Sequence, residues 1–158
     1  MATSTATVTL PADTQILITR RFAAPRHQVY RAWTTPELIR RWWHANRGEV
    51  TDIQVDLRVG GRWRYVMIAH GGMEVAFHGD YREIVPDTRL VTTEIYEAAP
   101  DHPALTTATF ADDGDGTLLT LLVEHASQAG RDQHINSGME DGLQDALSLV
   151  EQVAGSLA

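Results

Sequence analysis

From Gly48 to His125 the chain moves from one strand-like run to the next without an intervening helical segment, and this limits what it can fold into more than any other feature. EVTDIQVDLRV alternates through Val50, Ile53 and Val55 up to Gly60-Gly61, and RWRYVMIAH then places Trp63, Tyr65 and Met67 on one face. Gly71-Gly72 supplies a hairpin turn before MEVAFHGDYREIV, and Pro86-Asp87 another before LVTTEIYEA. ALTTATFADD and TLLTLLVEHA flank Asp113-Gly114-Asp115-Gly116, whose residues tolerate positive φ, so the last two strands form a hairpin. Parallel neighbours need long crossovers, and none is present; the sheet must be antiparallel.

The flanking segments complete an α+β order. DTQILITRRFAA reads as a strand ending at Pro25, whose ring suits the first turn of a helix. PRHQVYRAWTT and PELIRRWWHA follow as two short helices joined at Pro36. At the other end Ile135, Met139, Leu143, Ala146, Leu147, Val150 and Ala154 recur at three- and four-residue steps, the stripe of one long amphipathic helix. Ser137 and Glu140 have capping-box spacing, an alternative start lies near Asp132, and Gly155 is a plausible stop. The expected fold is a curved antiparallel sheet of about six to seven strands wrapping that helix. Residues 1–12 read as a flexible leader and 13–158 as one domain.

Composition removes several function classes. The 158 residues carry 21 acidic against 13 basic side chains, a net charge of −8, which disfavours nucleic acid and anionic membrane surfaces as partners. No cysteine is present, so thiol catalysis, disulfides and thiolate metal sites are ruled out. The seven histidines show neither His-x-His nor His-x-x-x-His spacing, so no metal is expected, and no cofactor motif is found. Asp112, Asp113 and Asp115 lack the glycine and glutamate of a calcium loop in any register. The first residues lack a basic start and apolar run, so the cytoplasm is the expected location.

The words WTTPELIRRWWHA (33–45), VGGRWRYVM (59–67), FHGDYREIVPDTRLV (77–91), GDGTLLTLLVEH (114–125) and SGMEDGLQDAL (137–147) carry a resemblance. In that order they resemble the activator of heat-shock-protein ATPase-like family, within the START-like or SRPBCC helix-grip superfamily. The likeness runs from about Thr14 to Ala154. It implies a helix-grip fold with a cavity between the long helix and the concave face of the sheet, the two short helices lying near one end. The architecture hosts ligand carriers, cyclases, hydrolases and chaperone-associated domains, so it does not fix the chemistry. The family's eukaryotic co-chaperones carry an additional N-terminal domain that this sequence lacks, so a chaperone is not the expected partner.

The candidate site residues follow from parity. Trp42 and Trp43 diverge by about 100° on a helix, so one packs inward while the other can reach a cavity mouth. Trp63, Tyr65 and Met67 share a strand face, as do Phe77, Gly79 and Tyr81. With Trp43 and with Met139 and Leu143 of the long helix they can line a pocket suited to a small apolar or aromatic ligand. The competing possibility is a filled core, in which Trp63→Ala carries a full core penalty. His125 closes the parity series Leu119, Leu121, Val123 and is a candidate at the cavity end. His78 and Asp80 share the opposite face from Phe77 and Tyr81, and Arg62 and Arg64 alternate against Trp63, so these four belong outside. The row Thr92, Glu94, Tyr96 fits either a polar cavity wall or plain exterior. Three roles stay open: binding of a small, largely apolar ligand; a cyclase- or hydrolase-type enzyme using His125 or a tyrosine; and a protein-interaction module, with a homodimer among its forms.

Overall fold

Eight strands form one antiparallel sheet in the computed structural model, which describes residues 5–157. In chain order they are β1 (Thr7–Thr9), β2 (Gln15–Phe22), β3 (Gly48–Val55), β4 (Arg62–Ala69), β5 (Glu74–Val85), β6 (Arg89–Tyr96), β7 (Ala104–Asp113) and β8 (Gly116–His125). The helices are α1 (Arg26–Thr34), α2 (Pro36–Ile39), α3 (Gln128–Ile135) and α4 (Met139–Gly155). Across the sheet the order is β1-β2-β8-β7-β6-β5-β4-β3, so β2 returns to pair with β8 while the others are sequential neighbours. α4 buries Leu147, Val150, Val153 and Ala154 in one core with Ile16, Ile18, Phe22, Leu119, Leu121 and Val123 of β2 and β8. This is the expected helix-grip architecture, with one strand more than the sequence pattern indicates.

The extra strand is β1, in the segment expected to be a leader. Val8 pairs with Ile18, and the side-chain amide of Gln144 in α4 binds Ala6 through both its backbone groups. The long helix also differs from expectation. Gly138 adopts φ 82°, in the left-handed region, and divides the C-terminal segment into α3 and α4. Ser137 donates its hydroxyl to His134 O rather than capping α4, while Ser127 caps α3 by accepting from Gly130 N. Gly155 is the last residue of α4 rather than its stop. The second short helix is also briefer than PELIRRWWHA suggests: after Ile39 the chain turns irregularly, with Ala45 and Asn46 at positive φ.

The irregular turn separates the paired tryptophans. Trp42 is buried, stacks on Trp33 at 5.0 Å and donates Nε1 to Ala32 O. Trp43 points instead toward the sheet, against Tyr65 and Phe77. α1 seals the neighbouring region, where Tyr30 meets Phe110 of β7 edge-on at 5.6 Å.

Candidate functional site

The concave face changes character along the sheet. On β2, β8 and the end of β7, the inward positions Ile16, Ile18, Phe22, Leu119, Leu121 and Phe110 are closed by α1 and α4. On β4 to β6 the inward positions Tyr65, Met67, Phe77, Thr92, Glu94 and Tyr96 are only half-buried, as are Met139 and Leu143 at the start of α4. These large side chains face the interior yet retain accessible surface, unlike the sealed inward positions of β2 and β8.

Aromatic rings form a continuous wall on this part of the inner face. Trp43 meets Tyr65 and Phe77 edge-on at 5.5 and 5.9 Å, Trp63 lies 4.8 Å from Tyr65, and Phe77 stacks on Tyr96 at 4.9 Å. Trp63 and Tyr81 differ from the others in being buried, so they support the wall from behind. Trp63 is fixed by a local gap in the β5–β6 ladder. Asp80 N binds the hydroxyl of Thr93 instead of a carbonyl, that hydroxyl donates to the Asp80 carboxylate, and the freed Thr93 O accepts Trp63 Nε1 at 3.2 Å. Gly79, directly opposite Trp63 on β5, makes room for this: a Cβ there would stand 1.9 Å from Thr93 O and 2.8 Å from the indole nitrogen.

Glu94 is the polar centre of the interior. Parity with buried Leu90 turns it inward, and Thr106 Oγ1 on β7 lies 3.4 Å from its Oε2. Ala104, directly across on β7, leaves space beside it. Burial pushes the Glu94 carboxyl up, opposed only in part by the Thr106 hydroxyl. The Tyr65 phenol is raised far above its ordinary value by burial first, then by Tyr81 and Glu94; burial likewise raises Tyr81. No ion pair among the described residues involves Glu94. Glu94, Tyr96 and Thr106 are the inward residues that sequence reasoning did not select. For Glu94 and Tyr96 the available signal was parity with Leu90 in LVTTEIYEA; Thr106 lies on β7, outside that segment.

His125 sits at the far end of β8, where its Nε2 lies 3.0 Å from His134 Nδ1 of α3. One proton serves that contact, and a second would set two donors against each other. Burial lowers both rings; His102 and Arg131 add to the effect at His125, and His134 falls to about 4 with His125 as the second cause. The folded chain therefore binds fewer protons at His134 than the unfolded chain. Stability from this pair is whole above the ordinary value of 6.5, declines as pH falls through it and levels off below about 4. Urea melts at pH 7 and 4.5 should show a loss of about 1–3 kcal/mol that His134→Gln, which keeps a hydrogen-bonding partner without titrating, removes. Glu94 acts with the opposite sign, and it is common to both proteins, so the difference reports the histidines. An equal loss in both would show that the pair is solvated.

The outer face carries the four residues expected there. Arg64 forms a fork with both oxygens of Glu97, and His78 adds a contact at 2.9 Å, holding the Glu97 carboxyl at about 2. Asp80 pairs with Arg82 rather than with His78. Two open grooves of about 450 and 350 Å³ run over this face, sharing Arg62, His78 and Gly79. Their charges are mostly satisfied within the sheet, so the uncompensated chemistry lies on the inner side.

Among the described residues no group of three histidine or carboxylate side chains is arranged to hold a metal ion. Among the described residues no helix is long and apolar enough to cross a membrane. The fold defines a helix-grip domain of the START-like class. Residues 23–155 match the family described as activator of Hsp90 ATPase homolog 1-like protein, and the chain belongs to that family. A Rhodobacter sphaeroides protein of solved structure is 24% identical, with 96% of this chain and 99% of that one covered and a TM-score of 0.89. A Mycobacterium smegmatis protein is similar at 22% identity, 97% and 99% coverage and a TM-score of 0.85. An AHSA1-like protein from Aeromonas hydrophila shares 24% identity over 89% and 92%, with a TM-score of 0.68. No curated protein matches the sequence.

Proposed function

We propose that the protein binds a small, largely apolar ligand in the interior between α4 and strands β3 to β6. The observation that carries this reading is the set of inward-facing rings, Trp43, Tyr65, Phe77 and Tyr96, which touch one another yet remain half-buried. A filled core would have closed over them, as it has over Phe22 and Phe110 at the other end. Met139 and Leu143 from α4 and Met67 from β4 complete the apolar lining, while Trp63 and Tyr81 hold it from behind; His125 stands at the far end, engaged with His134.

Native mass spectrometry of gently purified protein tests the reading. The expected result is a reproducible adduct that leaves on denaturation and is weakened by Trp43→Ala. Bare protein that also gives no fluorescence change with a hydrophobic dye such as anilinonaphthalene sulfonate would count against an open interior.

One observation favours an enzyme of cyclase or hydrolase type as the second reading. Glu94 keeps its proton to higher pH than an ordinary carboxyl and shares the inner face with the Tyr65 phenol, an arrangement suited to delivering a proton in a site with little water.

A further inference from the structure

The interior holds an acidic group without an ion-pair partner: His125, which shares its face two strands away across Ala104, is engaged with His134 instead. Among the described residues none of the eleven ion pairs involves Glu94. Only the Thr106 hydroxyl approaches the Glu94 carboxyl, at a long 3.4 Å, and this leaves most of its acceptor capacity unused. The rings of Tyr65 and Tyr96 stand on the same face, and Trp43 and Phe77 complete the aromatic wall. Aromatic faces are electron-rich and attract cations, most strongly where water is excluded. A net charge of −8 adds a long-range pull in the same direction.

We propose that the ligand is an organic ammonium ion, its charged nitrogen held against the Glu94 carboxylate and its carbon body among the rings of Trp43, Tyr65, Phe77 and Tyr96. This rests on the reading of the interior as a ligand site. The cation supplies the countercharge that the fold withholds, and the rings supply the apolar contact that a free ammonium in water lacks. A neutral ligand would leave Glu94 either charged and unpaired or protonated, and would gain nothing from the electrostatic half of the site. An anionic ligand would be repelled by it.

Three probes of similar size separate the possibilities in tryptophan-fluorescence titrations of the full chain: benzyltrimethylammonium, its uncharged isostere neopentylbenzene, and 4-phenyl-2-butanone, which carries a carbonyl acceptor. Benzyltrimethylammonium is expected to bind at least tenfold more tightly than either neutral probe. Glu94→Gln should lower its affinity at least tenfold and leave neopentylbenzene within about twofold, because the shape of the site is unchanged. If neopentylbenzene equals the cation, or the ketone binds best with Glu94 as hydrogen-bond donor, the interior is a ligand site but the ammonium assignment falls. If none of the three binds, the interior is closed and both readings fall. Should Glu94→Gln fail to fold, the ranking of the three probes on the unaltered protein still decides.

Discussion

Trp63→Ala is expected to lower stability by about 3–5 kcal/mol, the full penalty of a large aromatic removed from a packed site. Trp63 is 7% exposed, its ring rests against Tyr65, and its indole nitrogen fills the gap that β5 and β6 leave at Thr93. Its loss creates a void and also strands the Thr93 carbonyl, which no longer has its donor. Gly79→Ala attacks the same joint from the other side. The new Cβ would meet backbone oxygen at 1.9 Å, a neighbour that cannot rotate away, so a cost at or beyond the upper end of the usual 1–3 kcal/mol for overpacking is expected. Phe77→Ala is the informative control. Phe77 faces the same interior from the adjoining strand but is half-buried, so its removal should cost roughly half as much as that of Trp63. Urea melts of the three variants provide the check. A Phe77 penalty equal to that of Trp63 would mean that the aromatic wall is core throughout, and the proposed ligand site would have no room.

The contrast between Trp63 and Phe77 also shows how far sequence reasoning reaches. Period-two alternation places both residues on the inner face, and it does so reliably because one face of the sheet is covered by a helix. Parity does not say which inward residue is sealed. That depends on where α4 and the turn after α2 come to rest, and on a ladder gap at Gly79 that arises from one threonine side chain replacing a carbonyl. Glu94 was ambiguous for a related reason. Thr92, Glu94 and Tyr96 alternate with Thr93 and Ile95, so both faces of that strand are mixed and hydropathy gives no direction. Gly138 illustrates a third limit: the apolar stripe continues from Ile135 to Met139 without a break in spacing, while the backbone between them passes through the left-handed region. Periodicity records which side chains are apolar, and a glycine between them can redirect the helix without disturbing it.

Glu151→Ala is expected to cost about 3–5 kcal/mol, far more than a surface ion pair, because it leaves a guanidinium buried without its countercharge. Arg20 lies in QILITRRF at a position whose parity with Ile16, Ile18 and Phe22 forces it under α4, where its side chain is 1% exposed. There its Nη1 donates to Glu151 at 3.0 Å and to Arg21 O, its plane lies over the Phe22 ring at 4.6 Å, and its Nη2 has no partner among the described residues. Glu151 also accepts Ala23 N, so one carboxylate serves two donors of the β2 end. Removing it takes the countercharge from Arg20, whose Nη1 keeps only Arg21 O, and leaves Ala23 N to solvent. The double change Arg20→Met with Glu151→Leu should recover most of the loss, since Phe22 and the opposing Leu119 already provide apolar surroundings. A Glu151→Ala cost below about 1 kcal/mol in urea melts would instead place Arg20 in contact with water. The pair bears on the proposed ligand site as well. It pins the C-terminal half of α4 to β2, while Gln144 and Asp145 tie the middle of the helix to Ala6 and Arg47. α4 is therefore held from Gln144 onward, while Met139 and Leu143 at its start border the proposed ligand site. Loosening the pinned half should admit a hydrophobic dye at the β2 side, whereas in the unaltered protein the dye should compete with ligand at the Trp43 side alone.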